Sequence, residues 1–272
     1  MKESSLKIVT QGNTQGEPLF VFHGWAMNSS VWSAIKADLE KDYLVTYVDL
    51  PGHGDNKNIV ASSLSQLVDL VLPLIETNTE TTAETKSHLM GWSLGGLLIQ
   101  ALADRAPHLF SSLTLVATTP RFSQTENWLN AMSHEVLDSF ANNLQTDLDK
   151  TIKGFIGLQF MGINNSKQLQ RDLVESILRD SPNKASLCVG LDILRTADFR
   201  KSAQVIPQHW ILGERDRLIP KSLINNLKLI RPDAQITLLK NTGHAPFMTH
   251  PNEFMQSFTH FMSSLTREQT GV

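Results

Sequence analysis

Apolar positions along this chain follow two alternating rhythms. Short apolar runs of strand length fall at Leu6 to Thr10, Leu19 to Phe22, Tyr43 to Asp49, His88 to Met90, Ser112 to Ala117, Gln208 to Leu212 and Ile236 to Leu239. Leu19-Phe20-Val21-Phe22 is apolar without a break, as expected of a strand covered on both faces of a mainly parallel sheet. Between these runs the apolar spacing becomes helical, over Val31 to Glu40, Ser62 to Ile75 and the segment carrying Leu97, Leu98, Ile99, Ala101 and Leu102, with a final helix over Pro251 to Leu265 and a frayed polar tail. Pro73 is expected to disturb the last turn of the second helix. Gln11 to Pro18 and Asp49 to Asp55 read as turns, and Glu76 to Ser87 as a solvated loop.

This alternation predicts an α/β chain with a mostly parallel central sheet flanked by helices. From Arg121 to about Ala197 it stops: Met132 to Leu144, Leu148 to Phe160, Lys167 to Arg179 and Ala185 to Thr196 are successive helical patterns. They predict a helical lid over residues 121–197, inserted after the sixth strand, with residues 1–120 and 198–272 forming the core.

Composition adds bounds. The 272 residues, 41% hydrophobic, suffice for one large domain, and 24 Lys plus Arg against 27 Asp plus Glu give a net charge of −3. A chain of that balance is not, as a whole, a nucleic-acid binder. The single cysteine, Cys188, excludes an intramolecular disulfide. The N-terminus has no apolar targeting core, and the most apolar run, Leu89 to Ala103, is too short and too interrupted to span a bilayer. The expectation is a cytoplasmic protein away from membranes, and a monomer.

The chemistry centres on Gly91-Trp92-Ser93-Leu94-Gly95-Gly96. A strand before and a helix after a Gly-x-Ser-x-Gly sequence make a nucleophile elbow, in which glycines admit a sharp turn and the serine stands at a helix N-terminus. His23-Gly24-Trp25 ends a buried strand, where such a fold places a second oxyanion donor; the backbone N–H groups of Trp25 and Leu94 are the expected pair. The acid and base should follow the nucleophile in order, each in a loop after a strand. Asp216 and His244 occupy those places, so Ser93, Asp216 and His244 form the expected catalytic set. Glu214 is an alternative acid, and Asp216 could instead pair with Arg215 or Arg217. His23 is the rival base, although its position suits architecture better, and His53 reads as a loop residue. No metal-ligand spacing or dinucleotide fingerprint occurs, and no cofactor is expected. Trp92, Phe122, Trp128, Phe155, Phe160 and Phe247 either line an apolar channel or belong to the core.

Taken together, His23-Gly24-Trp25, Asp49-Leu50-Pro51-Gly52, Gly91 to Gly96 and His244-Ala245-Pro246-Phe247 resemble the α/β-hydrolase fold, and more narrowly the BioH-type pimeloyl-acyl-carrier-protein methyl ester esterases of biotin synthesis. Phe155-Ile156-Gly157-Leu158-Gln159, Met161-Gly162, Leu191 to Leu194 and Asp198 extend the resemblance into the lid. It implies a serine carboxylesterase that acts through an acyl-enzyme on the methyl ester of a pimeloyl chain held by its carrier protein. It further implies that Trp25, Ser93, Leu94, Phe155, Ile156, Gly157, Leu158, Gln159 and His244 contact the substrate. An acidic carrier calls for a basic face, which Lys150, Lys153, Lys167 and Arg171 could supply if they are more than a solvated helix surface. The family tends to place arginines there, one of which is Gly154 here, and Asp55-Asn56 replaces a serine-containing turn. The other readings are a general short-chain carboxylesterase or lactonase acting on small esters, and a non-catalytic binding protein on the same fold.

Overall fold

In the computed structural model, which describes residues 6–79, 86–202 and 205–270, seven strands form one sheet: β1 (Ile8–Gly12), β2 (Pro18–Phe22), β3 (Leu44–Val48), β4 (Ser87–Trp92), β5 (Phe110–Val116), β6 (Gln208–Gly213) and β7 (Gln235–Leu239). Their order is β1-β3-β2-β4-β5-β6-β7. Only β1 runs antiparallel, and it closes one edge with a mostly exposed strand. The interior strands β2, β4 and β6 are buried almost throughout because helices cover both faces, which explains their unbroken apolar runs.

The helices are α1 (Lys36–Asp42), α2 (Leu64–Thr79), α3 (Leu94–Arg105), α4 (His134–Thr146), α5 (Leu148–Gln159), α6 (Lys167–Arg179), α7 (Lys184–Thr196), α8 (Leu223–Ile230), α9 (Pro246–Thr249) and α10 (Pro251–Thr270). The insertion α4 to α7 lies between β5 and β6. It therefore follows the fifth described strand and not the sixth, because a single antiparallel strand precedes β2.

Other local differences have local causes. The helix expected over Val31 to Glu40 breaks at Ile35 (φ −118°, ψ 1°) into a 3-10 turn, Ser29–Ala34, and α1. The loop expected from Glu76 begins later, since α2 continues to Thr79 and Thr77 Oγ1 donates to Pro73 O (2.6 Å); residues 80–85 lie outside the described residues. α10 continues to Thr270 where a frayed tail was expected. α8 has no clear sequence signal, its buried Leu223 and Leu227 being separated by Asn225 and Asn226. The Asp55-Asn56 departure is structural: Asn56 is buried and ties the turn to Lys7, the residue before β1, accepting from Lys7 N (2.8 Å) and donating to Asp49 O (2.6 Å).

The insertion is anchored at both ends. Asp198, on the chain returning to the core, pairs with Arg121 (3.0 Å) and Arg200 (2.7 Å), and the hydrogen bond from Arg200 is the main reason its carboxyl is pulled down to about 2. Near the start of α7, Asn183 N donates to Gly52 O (2.7 Å), while the Asn183 side chain caps the helix.

Two buried histidines make the fold acid-sensitive. His209 on β6 shares Thr237 Oγ1 (2.9 Å) and Ser257 Oγ (3.2 Å), and burial pushes it down to about 3. His53 is pushed to about 3 by the same cause, helped by His23. An ordinary histidine titrates near 6.5, so the unfolded chain takes up protons that the folded chain refuses as pH falls from 6.5 toward 3. Stability is thus full above about pH 6.5 and falls by about 1.4 kcal/mol per pH unit below it for each such group. His209→Gln should reduce the slope of unfolding free energy against pH, measured by urea titration between about pH 6 and 4, by about one proton. An unchanged slope would show that His209 is not held neutral.

Candidate active site

The site is built where parallel strands end. β4 stops at Trp92, α3 starts at Leu94, and Ser93 between them takes φ 55° and ψ −113°, a strained conformation for a residue with a side chain. The turn is too tight for neighbours of any size. A Cβ on Gly91 would lie 2.4 Å from Gly95 O, and one on Gly95 would lie 2.4 Å from Phe22 O and 2.7 Å from His23 O. Backbone bonds lock the serine: its N–H donates to Val116 O (2.9 Å), and its carbonyl accepts from Gly96 N (2.9 Å) and Thr118 Oγ1 (2.8 Å). Thr118 was not singled out in the sequence, although its place just after β5 was the available signal.

The residues expected as acid and base, Asp216 and His244, lie in the loops after β6 and β7. His244 Nδ1 lies 2.8 Å from Asp216 Oδ2, and both side chains are fully buried. The other carboxylate oxygen of Asp216 accepts the N–H groups of Leu218 (2.8 Å) and Ile219 (3.0 Å), which fixes its orientation. An imidazole that donates from Nδ1 to this carboxylate keeps its lone pair on Nε2, and Nε2 has no protein hydrogen-bond partner among the described residues. Trp92, beside the nucleophile, donates from Nε1 to His244 O (2.7 Å) and so draws the base loop onto the elbow.

The rivals fall away on geometry. Glu214 accepts from Asn241 N (3.2 Å) and is partly exposed, while Arg215 donates to Gly162 O (3.1 Å) and Asn241 Oδ1 (2.6 Å), leaving Asp216 to the histidine. His23 is buried, and its Nε2 accepts from Leu50 N (2.9 Å), so Nδ1 carries the proton and donates to Gly24 O (2.8 Å). Burial lowers its pKa, and it serves as a neutral brace for the loop. His88 is likewise occupied, by Ser112 (2.8 Å) and Glu17 (3.2 Å).

That brace holds His23-Gly24-Trp25 against the nucleophile. A Cβ on Gly24 would lie 3.2 Å from Ser93 Cβ. Leu94, as the first residue of α3, has no acceptor for its N–H within the helix, and among the described residues neither it nor the Trp25 N–H is bonded to a protein carbonyl. A nucleophile, an oriented base and two unclaimed N–H donors are the components of acyl transfer.

The insertion closes over this centre. Phe155, Ile156 and Gln159 face inward and are buried, Gly157 and Leu158 are half-buried, and Gln159 O accepts His244 N (3.2 Å). Phe155 packs edge-on to the Trp25 ring with centroids 4.8 Å apart. Two others of the six aromatics are packing residues and not channel lining. Phe247 is wedged among Trp32, Trp92 and Phe254, and Trp128 covers Arg200 and donates to Arg121 O at the base of the insertion. On the outer side, Lys153, Lys167 and Arg171 line one groove of about 450 Å³ with Gln170, Val174 and Glu175; Lys150 is exposed one turn back on α5. Among the described residues no cluster of His, Cys, Asp or Glu is placed to hold a metal ion, and no helix is long and apolar enough to cross a membrane.

Comparison with known proteins agrees with this arrangement. The alpha/beta hydrolase fold family matches residues 17–251. The chain is 36% identical over 259 residues to a pimeloyl-[acyl-carrier protein] methyl ester esterase of Pseudoalteromonas atlantica, a match covering 93% of this chain and 96% of that one. It is 33% identical over 258 residues to the Nitrosomonas europaea protein of the same name, covering 94% and 98%. Among solved structures, a hydrolase from Oleispira antarctica superposes with a TM-score of 0.84 at 17% identity, covering 95% of this chain and 94% of that one. An esterase from Exiguobacterium antarcticum gives 0.82 at 18%, covering 95% and 96%. At such identities these two show the fold alone.

A fluorophosphonate probe should label Ser93, and Ser93→Ala should abolish the label. Asp216→Asn should slow labelling by about 10⁴-fold while the protein stays folded, since the amide favours the wrong imidazole tautomer. Glu214→Gln should label at the wild-type rate; a large loss there instead would transfer the acid role to Glu214.

Proposed function

The chain belongs to the alpha/beta hydrolase family and, within it, to the pimeloyl-acyl-carrier-protein methyl ester esterases, and from that premise we propose how its residues hydrolyse the methyl ester of a pimeloyl chain borne by acyl-carrier protein. What supports the reading is a joint observation: similarity over nearly the whole chain, together with the His244–Asp216 hydrogen bond and the bond that holds His244 O to Trp92, the residue before Ser93.

Ser93 Oγ attacks the ester carbonyl while His244 Nε2 takes its proton. The new C–O bond leaves negative charge on the former carbonyl oxygen, which the N–H groups of Trp25 and Leu94 receive; each such donor is worth about 10²–10³ in turnover. Asp216 stabilises the imidazolium through Nδ1. As the tetrahedral intermediate collapses, the bond to methoxide breaks, His244 returns the proton to it, and methanol leaves an acyl-Ser93 ester. Water then repeats the sequence with His244 as base, releasing the free acid end of the chain and restoring Ser93. The buried surroundings, with Ser93 3% and His244 0% exposed, make the two N–H groups and the Asp216 carboxylate stronger than they would be in water.

Residues 121–197 serve as the lid in this reading, with Phe155, Ile156, Gly157, Leu158 and Gln159 touching the acyl chain. The cations of α5 and α6 meet the acidic carrier from outside. α5 joins the two tasks, since Phe155 and Ile156 face the centre while Lys150 and Lys153 face solvent.

The test compares kcat/KM for carrier-bound pimeloyl methyl ester with that for a free p-nitrophenyl ester, with Ser93→Ala as the blank. The carrier-bound ester should be preferred. Reversing three charges (Lys153→Glu, Lys167→Glu, Arg171→Glu) should raise its KM by about tenfold or more at low salt, with kcat nearly unchanged and the free ester unaffected. Equal turnover of both esters and indifference to charge reversal would leave a general esterase.

A further inference from the structure

Helix α7 of the insertion packs directly on the two residues whose N–H groups are assigned to the oxyanion. Trp25 Nε1 donates to Leu187 O (2.9 Å), a carbonyl inside α7 with a second lone pair to offer. Gly190 lies three residues further along, on the same face of the helix. A methyl group there would stand 2.6 Å from Trp25 Cδ1, 3.1 Å from Nε1 and 3.4 Å from Leu94 Cδ2. No other residue type fits beneath the indole without moving it. Glycine is a poorer helix former than alanine, so α7 gives up stability at this contact.

The loop that carries Trp25 needs such support. Ala26, the next residue, is held at φ 62°, a left-handed conformation unfavourable for alanine. Within the loop, Met27 N donates to Gly24 O (3.2 Å), while the Trp25 ring is fixed from outside by α7 and by Phe155. α7 is itself seated on the core at Gly52, where Asn183 N is bonded and a side chain would collide with Ser186.

Resting on the assignment of the Trp25 N–H to the oxyanion, we propose that α7 is a working part of the oxyanion hole. Gly190 and the Leu187 carbonyl set the position of the Trp25 loop, Gly190 acting as a positioning residue, so that the two N–H donors converge only while α7 is seated on the core. The insertion then does more than cover the acyl chain: its seating and the assembly of the electrostatic site are one event.

The experiment uses a p-nitrophenyl butyrate assay on the full chain, with Gly190→Ala made in the wild-type and Trp25→Ala backgrounds. In the wild type it should lower kcat by about tenfold or more and leave KM within about twofold, as displacement of an oxyanion donor affects the transition state and not ground-state binding. In the Trp25→Ala background, where no indole remains to be pushed, it should cost nothing further. Gly154→Ala on α5, where no atom lies within 4 Å of the added methyl, is the helix-glycine control and should keep wild-type kcat. Trp25→Phe gives a second readout should Gly190→Ala fold poorly: it keeps the backbone N–H, removes the bond to Leu187 O, and should lower kcat several-fold at constant KM. Wild-type kcat in both Gly190→Ala and Trp25→Phe, or an equal loss from Gly190→Ala in both backgrounds, would overturn the proposal. Because the baseline is Ser93-dependent turnover of a small ester, an error about the carrier-bound substrate gives a different result from an error about α7.

Discussion

Ser93 is held at φ 55° and ψ −113°, a backbone state that costs a residue with a side chain about 1–3 kcal/mol, and much of the surrounding structure is arranged to keep it there. Its N–H and carbonyl are both bonded, to Val116, Gly96 and Thr118, and Gly91 and Gly95 let the turn close to backbone contact. The placement of the other groups follows from the sheet. β4 lies between β2 and β5, so the His23-Gly24-Trp25 loop after β2 reaches the nucleophile from one side. Parallel β6 and β7 release Asp216 and His244 at the same end of the strands as β4 releases Ser93, although they lie far from it in sequence.

Features governed by local rules could be read from the chain. The elbow is a five-residue steric problem with glycine as its solution, and the expected acid and base were chosen by their places after strands. Asp216 was the expected acid with Glu214 as its alternative, and what distinguishes them is turn geometry: the N–H groups of Leu218 and Ile219 fix one carboxylate toward His244, while Glu214 is turned to Asn241. The six aromatics were equally ambiguous, since burial in a core and lining of a channel leave the same composition. Phe247 among tryptophans and Trp128 against Arg200 resolve two of them as packing. The contact between Trp25 and Leu187 had no sequence signal, because its acceptor is a backbone carbonyl that any residue would offer.

Burial organises the electrostatics around the centre. His23 and His53 stand side by side with ring centroids 5.1 Å apart, and desolvation disfavours the charged form of both, so the His23-Gly24-Trp25 loop is braced by neutral rings. Asp216, in contrast, has each oxygen supplied with a donor, which is the condition under which a buried carboxylate can remain useful to an imidazole. The insertion completes the enclosure, with Phe155 and Ile156 of α5 turned inward and Lys153, Lys167 and Arg171 of α5 and α6 set around an outer groove, the surface that the proposed function gives to the carrier.

In the proposed function, Ser93 attacks the methyl ester at the far end of the chain and leaves the link to the carrier intact. The intact mass of the acyl-carrier protein, followed during turnover of its pimeloyl methyl ester, tests this directly. The predicted result is a carrier lighter by the difference between a methyl ester and an acid, with the chain still attached and no change in the presence of Ser93→Ala. Appearance of the bare carrier, or loss of the methyl group at the same rate with Ser93→Ala, would contradict it.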